Sequence, residues 1–344
     1  MTITIYLRLR NILLNFLLRM NITLKKVRKM KKIALALTMV TPLMMFADVI
    51  PAINSKGGAQ VLPEGMVKMT IKHILFDREN MFESSSEVQN KESLDATANI
   101  TLLQLNYGVT KTTTLGAIVP YKNIEATAKL GANDVAIDNS GVGDVILVAR
   151  HVLLPISEYG FGLSVDGGVK LPTGSNDNGF KKAPAFATGI NTPMPTQMGT
   201  GEFEYKIGMG LSYMMDESWE VDAHTMFTYR PKAEHDYDFG NELSFDLSTT
   251  KAITKQINVG IEYNFAYNTA TDMGSDTNAI LRSMLPFKAF SGSTGYVTPQ
   301  IEFLPFGKPK IHFGVGVSFL AHYDLKEYQP LEKERFVARI GYLF

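Results

Sequence analysis

The groups able to do chemistry in this chain are carboxylates, lysines, arginines and six histidines; cysteine is absent. That absence removes thiol nucleophiles, thiolate metal sites and disulfides, and it fits an oxidising compartment. His73, His151, His224, His235, His312 and His322 show no pair with helical metal-ligand spacing. His235, with Asp236 and Asp238, forms a loop cluster that would hold a cation or, the reading preferred, a solvated turn. Gly141-Val142-Gly143 leads into a strand pattern and not a helix, so it is no dinucleotide fingerprint. No cofactor and no metal are expected.

The remaining polar candidates share one property: each lies on the polar face of a segment that alternates with apolar residues in a period of two. They are Arg150, Asp166, Lys170, Glu204, Lys206, Glu220, Asp222, His224, Arg230 and Glu262. Glu242, Asp246, Glu302, Arg335 and Arg339 extend the set. Turned toward a common interior, such residues form a selectivity lining for a solute or an ion-pair network that fills a narrow space. Lys206 is expected beside Asp222 or Glu220. The signs are mixed, and Lys+Arg equals Asp+Glu at 34 each, so neither an ion preference nor nucleic-acid binding follows.

The elements that position these residues are strands. Phe161, Leu163, Val165, Val169 and Leu171 alternate with Gly162, Ser164, Asp166, Gly168 and Lys170. The same pattern recurs near 64–76, 94–108, 112–127, 142–154, 158–172, 201–214, 218–231, 239–251, 256–268, 293–305, 309–322 and 334–344. That makes about twelve strands. In the second, Leu102, Leu103 and Leu105 blur the phase. Each segment meets the ~9–11 residues that a tilted strand needs to cross hydrocarbon. Short connections near 110–111, 155–157, 216–217, 254–255 and 306–308 alternate with longer ones near 77–93, 128–141, 173–200, 269–292 and 323–333, with 232–238 shorter. This sorting suits a transmembrane barrel with tight turns on one side.

Tyr107, Tyr121, Tyr159, Tyr213, Trp219 and Phe306 are expected as a girdle near the short-turn ends. Ahead of the strands, residues 1–47 carry no acid. Met30-Lys31-Lys32, the apolar run to Phe46 and then Ala47 read as a signal peptide over 30–47, with 1–29 an upstream start-site extension. The expected mature chain, 48–344, is an all-β antiparallel up-and-down barrel of about twelve strands. Alternate apolar residues running to Phe344 form the signal by which barrel-assembly machinery would receive the last strand.

Gly141-Val142-Gly143-Asp144 opening a strand, Gly168-Val169-Lys170-Leu171-Pro172-Thr173-Gly174 ending one, and Gly199-Thr200-Gly201 before Gly208-Met209-Gly210-Leu211-Ser212-Tyr213 resemble one barrel family in order. It is named after the MetA pathway of phenol degradation. The resemblance covers roughly 60–344 and implies an outer-membrane barrel taking up hydrophobic or aromatic compounds; it brings no functional residues. Asp144 and Lys170 are expected at the outer rim as a loop anchor. The loop 173–200, with Phe180, Pro184, Phe186, Pro193, Met194, Pro195 and Met198, is read as a surface loop, with folding into the mouth as the alternative.

The function expected is therefore a Gram-negative outer-membrane channel or transporter for small, hydrophobic or aromatic compounds, its partners being membrane lipid, assembly machinery and solute. The alternative is a non-transporting structural or adhesive barrel with a plugged lumen. An enzyme is not expected: His151 is in phase to face lipid, but no Ser-bearing motif accompanies it.

Overall fold

A backbone that crosses hydrocarbon must satisfy every N–H and C=O internally, and a sheet does so only by closing on itself. The computed structural model describes residues 52–344 except 186–188, 234–236 and 270–290, so the leader, Phe186, His235 and Asp236 lie outside the described residues. The first strands are β1 (Val67–Arg78), β2 (Asn80–Ser84), β3 (Ser86–Val88), β4 (Asp95–Thr110), β5 (Thr113–Leu130), β6 (Asn133–Val142), β7 (Val145–Leu154) and β8 (Phe161–Leu171). They are followed by β9 (Glu204–Asp216), β10 (Trp219–Tyr229), β11 (Glu242–Ala252), β12 (Ile257–Asn268), β13 (Gly292–Phe303), β14 (Ile311–Leu331) and β15 (Glu334–Leu343). One helical turn, α1 (Ile156–Tyr159), joins β7 to β8.

Antiparallel pairing runs β1, β4, β5, β7, β8, β9, β10, β11, β12, β13, β14, β15 and returns to β1, which closes a ring of twelve strands. All twelve segments expected from alternation are present. Three further strands, β2, β3 and β6, were not expected. β2 and β3 form a hairpin on the outer extension of β14. β6 was expected as loop; it is the outer continuation of β7, pairing with β5 over 121–130 while β7 pairs with it over 113–118. Its sequence holds only Val135 and Ile137 on one face, between Asn133 and Asn139, too short an apolar run for a period-two search to find. The step between the two lies at Pro120, which cannot donate to a ladder and instead accepts from Gly143 N at 2.8 Å.

The burial pattern is inverted relative to a soluble sheet. On β9, Ile207 is 67 % exposed and Met209 50 %, whereas on β10 Glu220 and His224 are each 1 % exposed. Charges inside and aliphatics outside are stable only when the outside is hydrocarbon, so this is a membrane-spanning barrel. Tyr107, Tyr159, Tyr213 and Phe306 project outward near the short-turn end. Tyr121 does not belong to that girdle: it sits midway along β5, opposite Thr101 and Val142. The short-turn end, which also holds the start of β1 and Phe344, is called the inner end below.

Placing a cation on the outward face should cost far more than placing one inside. Met209→Arg is expected to lower unfolding free energy in vesicles by about 2–4 kcal/mol. Reversible urea titration of the folded barrel checks it, and a change below about 0.5 kcal/mol would contradict the outward assignment of β9.

Candidate functional site

Twelve strands with polar inner faces leave buried carboxylates and amides that require partners. The chain supplies many of them from its own N-terminal segment, which crosses the lumen. Ile53 N donates to Gln300 Oε1 on β13 at 2.5 Å. Asn54 N and Ser55 N both donate to the Glu262 carboxylate on β12, each at 2.9 Å. Lys56 Nζ reaches Ser244 Oγ at 2.7 Å and Asp246 Oδ2 at 3.3 Å on β11. Ala59 N donates to Ser212 Oγ on β9 at 2.8 Å, Gln60 Nε2 to Glu220 on β10, and Leu62 N to Thr114 Oγ1 on β5 at 2.8 Å. β5 and β13 lie five strands apart one way round the ring and seven the other, so the segment spans the lumen from wall to wall. Gly58 and Gly210 allow the closest approach: a Cβ on Gly210 would stand 2.6 Å from Gly58 O, and one on Gly58 would stand 2.0 Å from Ser212 Oγ.

Six of the ten expected interior residues serve this strap. Arg150 clamps Asp166 through Nε and Nη2 at 2.7 and 2.9 Å, and Nη2 also donates to Lys56 O at 2.7 Å. His224 Nε2 meets the other side of Asp166 Oδ2 at 2.5 Å. Asp222 accepts from Ser212 Oγ, the hydroxyl that receives Ala59 N. Glu220 and Glu262 bond the strap directly. The other four stand nearer the outer end. Lys170 bridges Asp144 at 3.0 Å and Glu204 at 2.7 Å, and Arg230 pairs with Glu242 at 2.7 Å. Lys206 is not beside Asp222 or Glu220. The register sets it opposite Thr228, where it meets Glu204 at 3.5 Å, because Asp222 falls opposite Ser212. Asp144 is a loop anchor as well as an ion partner, since it accepts Gly174 N at 2.9 Å and Thr200 N at 3.0 Å.

Above the strap the interior changes character. A cavity of about 310 Å³ is lined by Phe76, Met81, Leu94, Ala98, Ile100, Ile124, Ala126, Val135, Ile137, Phe180, Pro193 and Pro195, with Arg78, Glu92 and Lys122 among the few charged residues in its wall. None of the ten expected site residues lines it. The loop 173–200, read from sequence as a surface loop, folds into the mouth: Met194 and Met198 are buried, and Gln197, 2 % exposed, bonds Thr192 on its own arm and Asn178 on the opposite one. Its apolar residues lower their free energy by covering the apolar wall of β4, β5 and β6 instead of meeting water.

Beside the cavity, in the turn between β14 and β15, Glu332 is buried between Arg78 (2.6 Å) and Arg335. Burial alone would raise its carboxyl, but the two guanidiniums outweigh that and hold it at about 2. Arg335 also lies 3.7 Å from the ring centroid of Tyr296. This outer corner is therefore fully paired. His151 is exposed on the outward face, and its Nδ1 meets Thr113 Oγ1 at 3.0 Å. Among the described residues no group of histidines and carboxylates has the arrangement of a metal site.

A closed membrane barrel with a strapped polar lumen and an apolar outer chamber is the class that fold and interior define. Residues 81–319 match the family described as "putative MetA-pathway of phenol degradation", and the chain belongs to it. Among solved structures it is similar to an outer membrane channel from Pseudomonas putida F1, at 15% identity and a TM-score of 0.62, covering 83% of this chain and 98% of that one. A more remote likeness is to the P. putida toluene transporter TodX, at 11% identity and a TM-score of 0.43, covering 82% and 91%. No curated protein matches.

The strap should depend on Glu262, which holds two of its amides. Glu262→Ala is expected to remove about 1.5–3 kcal/mol of local protection, which speeds amide exchange at Asn54 and Ser55 by about tenfold or more while the barrel strands stay protected. Hydrogen exchange of the folded protein reads this directly, and unchanged protection at those two amides would show that the segment is held by other means.

Proposed function

We propose that this protein is an outer-membrane channel for small hydrophobic or aromatic compounds, with no catalytic role. The observation that carries the reading is the apolar cavity of about 310 Å³ set into an otherwise polar lumen at the end with the long connections. A pore for ions or sugars has no use for such a wall, whereas an apolar solute gains roughly 25 cal/mol per Å² buried there. The family, and the fold shared with an outer membrane channel of P. putida F1, support the same reading. In it, cleavage after Ala47 frees Asp48 as the N-terminus, residues 52–62 enter the lumen from the inner end, and the Phe344 strand is the handle for assembly machinery. The polar residues Arg150, Asp166, Glu220, Asp222, His224 and Glu262 then serve as the seat of the strap, and Lys170, Glu204, Lys206 and Arg230 as the paired outer lining. Passage toward the periplasm requires the strap to move.

The strap itself favours a second reading, a non-transporting barrel whose plug is permanent. The two are separated by comparing the mature protein with a variant lacking residues 48–60, each refolded into proteoliposomes and planar bilayers. The channel reading expects low conductance but measurable toluene entry for the intact protein, and a steady, larger conductance for the truncated one. Toluene entry no faster than through protein-free vesicles, for the intact and the truncated barrel alike, would overturn the channel reading and leave the structural one.

A further inference from the structure

The cavity wall is apolar except at a few points, and two of those are already paired. Arg78 is taken by Glu332 at 2.6 Å, and Glu92 accepts from the Tyr328 hydroxyl at 2.5 Å. Lys122 is different. Its ammonium donates to two backbone carbonyls, Met198 O at 2.8 Å and Gln197 O at 3.3 Å, and makes no ion pair with a carboxylate among the described residues. An ammonium has three donors, so one remains, and the two partners it touches are neutral carbonyls.

The surrounding charges show why no acid reaches it. Asp144 and Glu204 are the nearby carboxylates, and both are held by Lys170, at 3.0 and 2.7 Å. Glu204 is shared further with Lys206 at 3.5 Å and Arg230 at 3.7 Å, and Glu242 is taken by Arg230. Four cations, Lys122, Lys170, Lys206 and Arg230, thus face three carboxylates, Asp144, Glu204 and Glu242. The surplus positive charge falls on Lys122, which lines the apolar chamber together with Arg78, itself already paired to Glu332. Even a half-buried charge without a counter-charge in contact is costly, and a protein retains one most readily where a ligand completes it.

We propose that the chamber binds small amphipathic acids, an apolar or aromatic body seated in the cavity with one carboxylate placed on Lys122. This rests on the channel reading and adds to it the charge of the solute. Gly141, opposite Lys122 in the strand pairing, and Gly143 just beyond it keep the wall low there: a Cβ on Gly143 would stand 3.1 Å from Lys122 Cε. The carbonyls of Gln197 and Met198 fix the ammonium in place, so the carboxylate meets a preset donor.

Binding of benzoate, toluene and benzylamine to the refolded full barrel at pH 7, measured by equilibrium dialysis, tests this. Benzoate is expected to bind about tenfold or more tightly than toluene, with benzylamine weakest. Lys122→Met should abolish the preference for benzoate and leave toluene within about twofold, while Lys122→Arg should keep it. Toluene binding with no advantage for benzoate would overturn this proposal and leave the channel reading standing. Binding of none of the three would overturn both. Should Lys122→Met fail to fold, the ranking of the three probes on the native protein still decides the matter.

Discussion

Everything in this structure follows from the need to satisfy a sheet's backbone inside hydrocarbon. Closure at β13–β14 and β1–β15 removes the free edges, but it also turns one face of every strand inward. The outer face must be apolar, so the charges have only the interior to occupy. In a ring of twelve strands that interior is narrow, and Glu262, Glu220, Asp166 and their neighbours are buried with little water to solvate them. The N-terminal segment answers this with backbone amides, which can be spaced to match carboxylates on strands that are far apart in sequence. Asn54 and Glu262 are separated by 208 residues. The strap is thus a structural consequence of closure before it is anything else, and its many modest bonds make it a removable one.

The same interior is built differently at its outer end, where the loop 173–200 and β6 replace polar side chains with apolar ones. The boundary is visible along single strands. On β4, Asn106 and Gln104 face the lumen near the inner end, while Ile100 and Ala98 line the chamber near the outer end. A barrel that was merely filled would not need this change. The ion cluster around Lys170 separates the two zones and ties the loop to the wall through Asp144.

Much of the architecture was legible in the alternation, because a lipid-facing and a lumen-facing row impose a period of two whatever the residues are. All twelve barrel strands could be read that way, and the family-like motifs placed Asp144 and Lys170 at the outer rim, though not their ion pair. What escaped reading is instructive. The strap is too short and too irregular to carry any period, and its partners are set by closure, not by sequence spacing. β6 carries just two apolar residues on its inner face, Val135 and Ile137, too few to set a period. The chamber was signalled, though, by the blurred phase around Leu102, Leu103 and Leu105: Leu103 and Leu105 face outward as expected, and the extra apolar residue Leu102, with Ile100, belongs to an inner face that turns apolar. A local failure of alternation inside an otherwise regular barrel marked the place where the lumen changes its chemistry. The polar set, conversely, drew attention to residues that seat the strap.

The central claim is that solute passage requires the strap to leave its seat. The chain has no cysteine, so a pair introduced at Ala59 and Ser212, joined in the native structure by a 2.8 Å hydrogen bond, would lock the strap by a single reversible disulfide. Toluene flux into proteoliposomes carrying this variant, measured before and after reduction, tests the claim most directly. The account predicts that flux is blocked when the disulfide is formed and restored when it is reduced. Equal flux in both states would contradict it, and would mean that the solute leaves the barrel by a route that never crosses the strap.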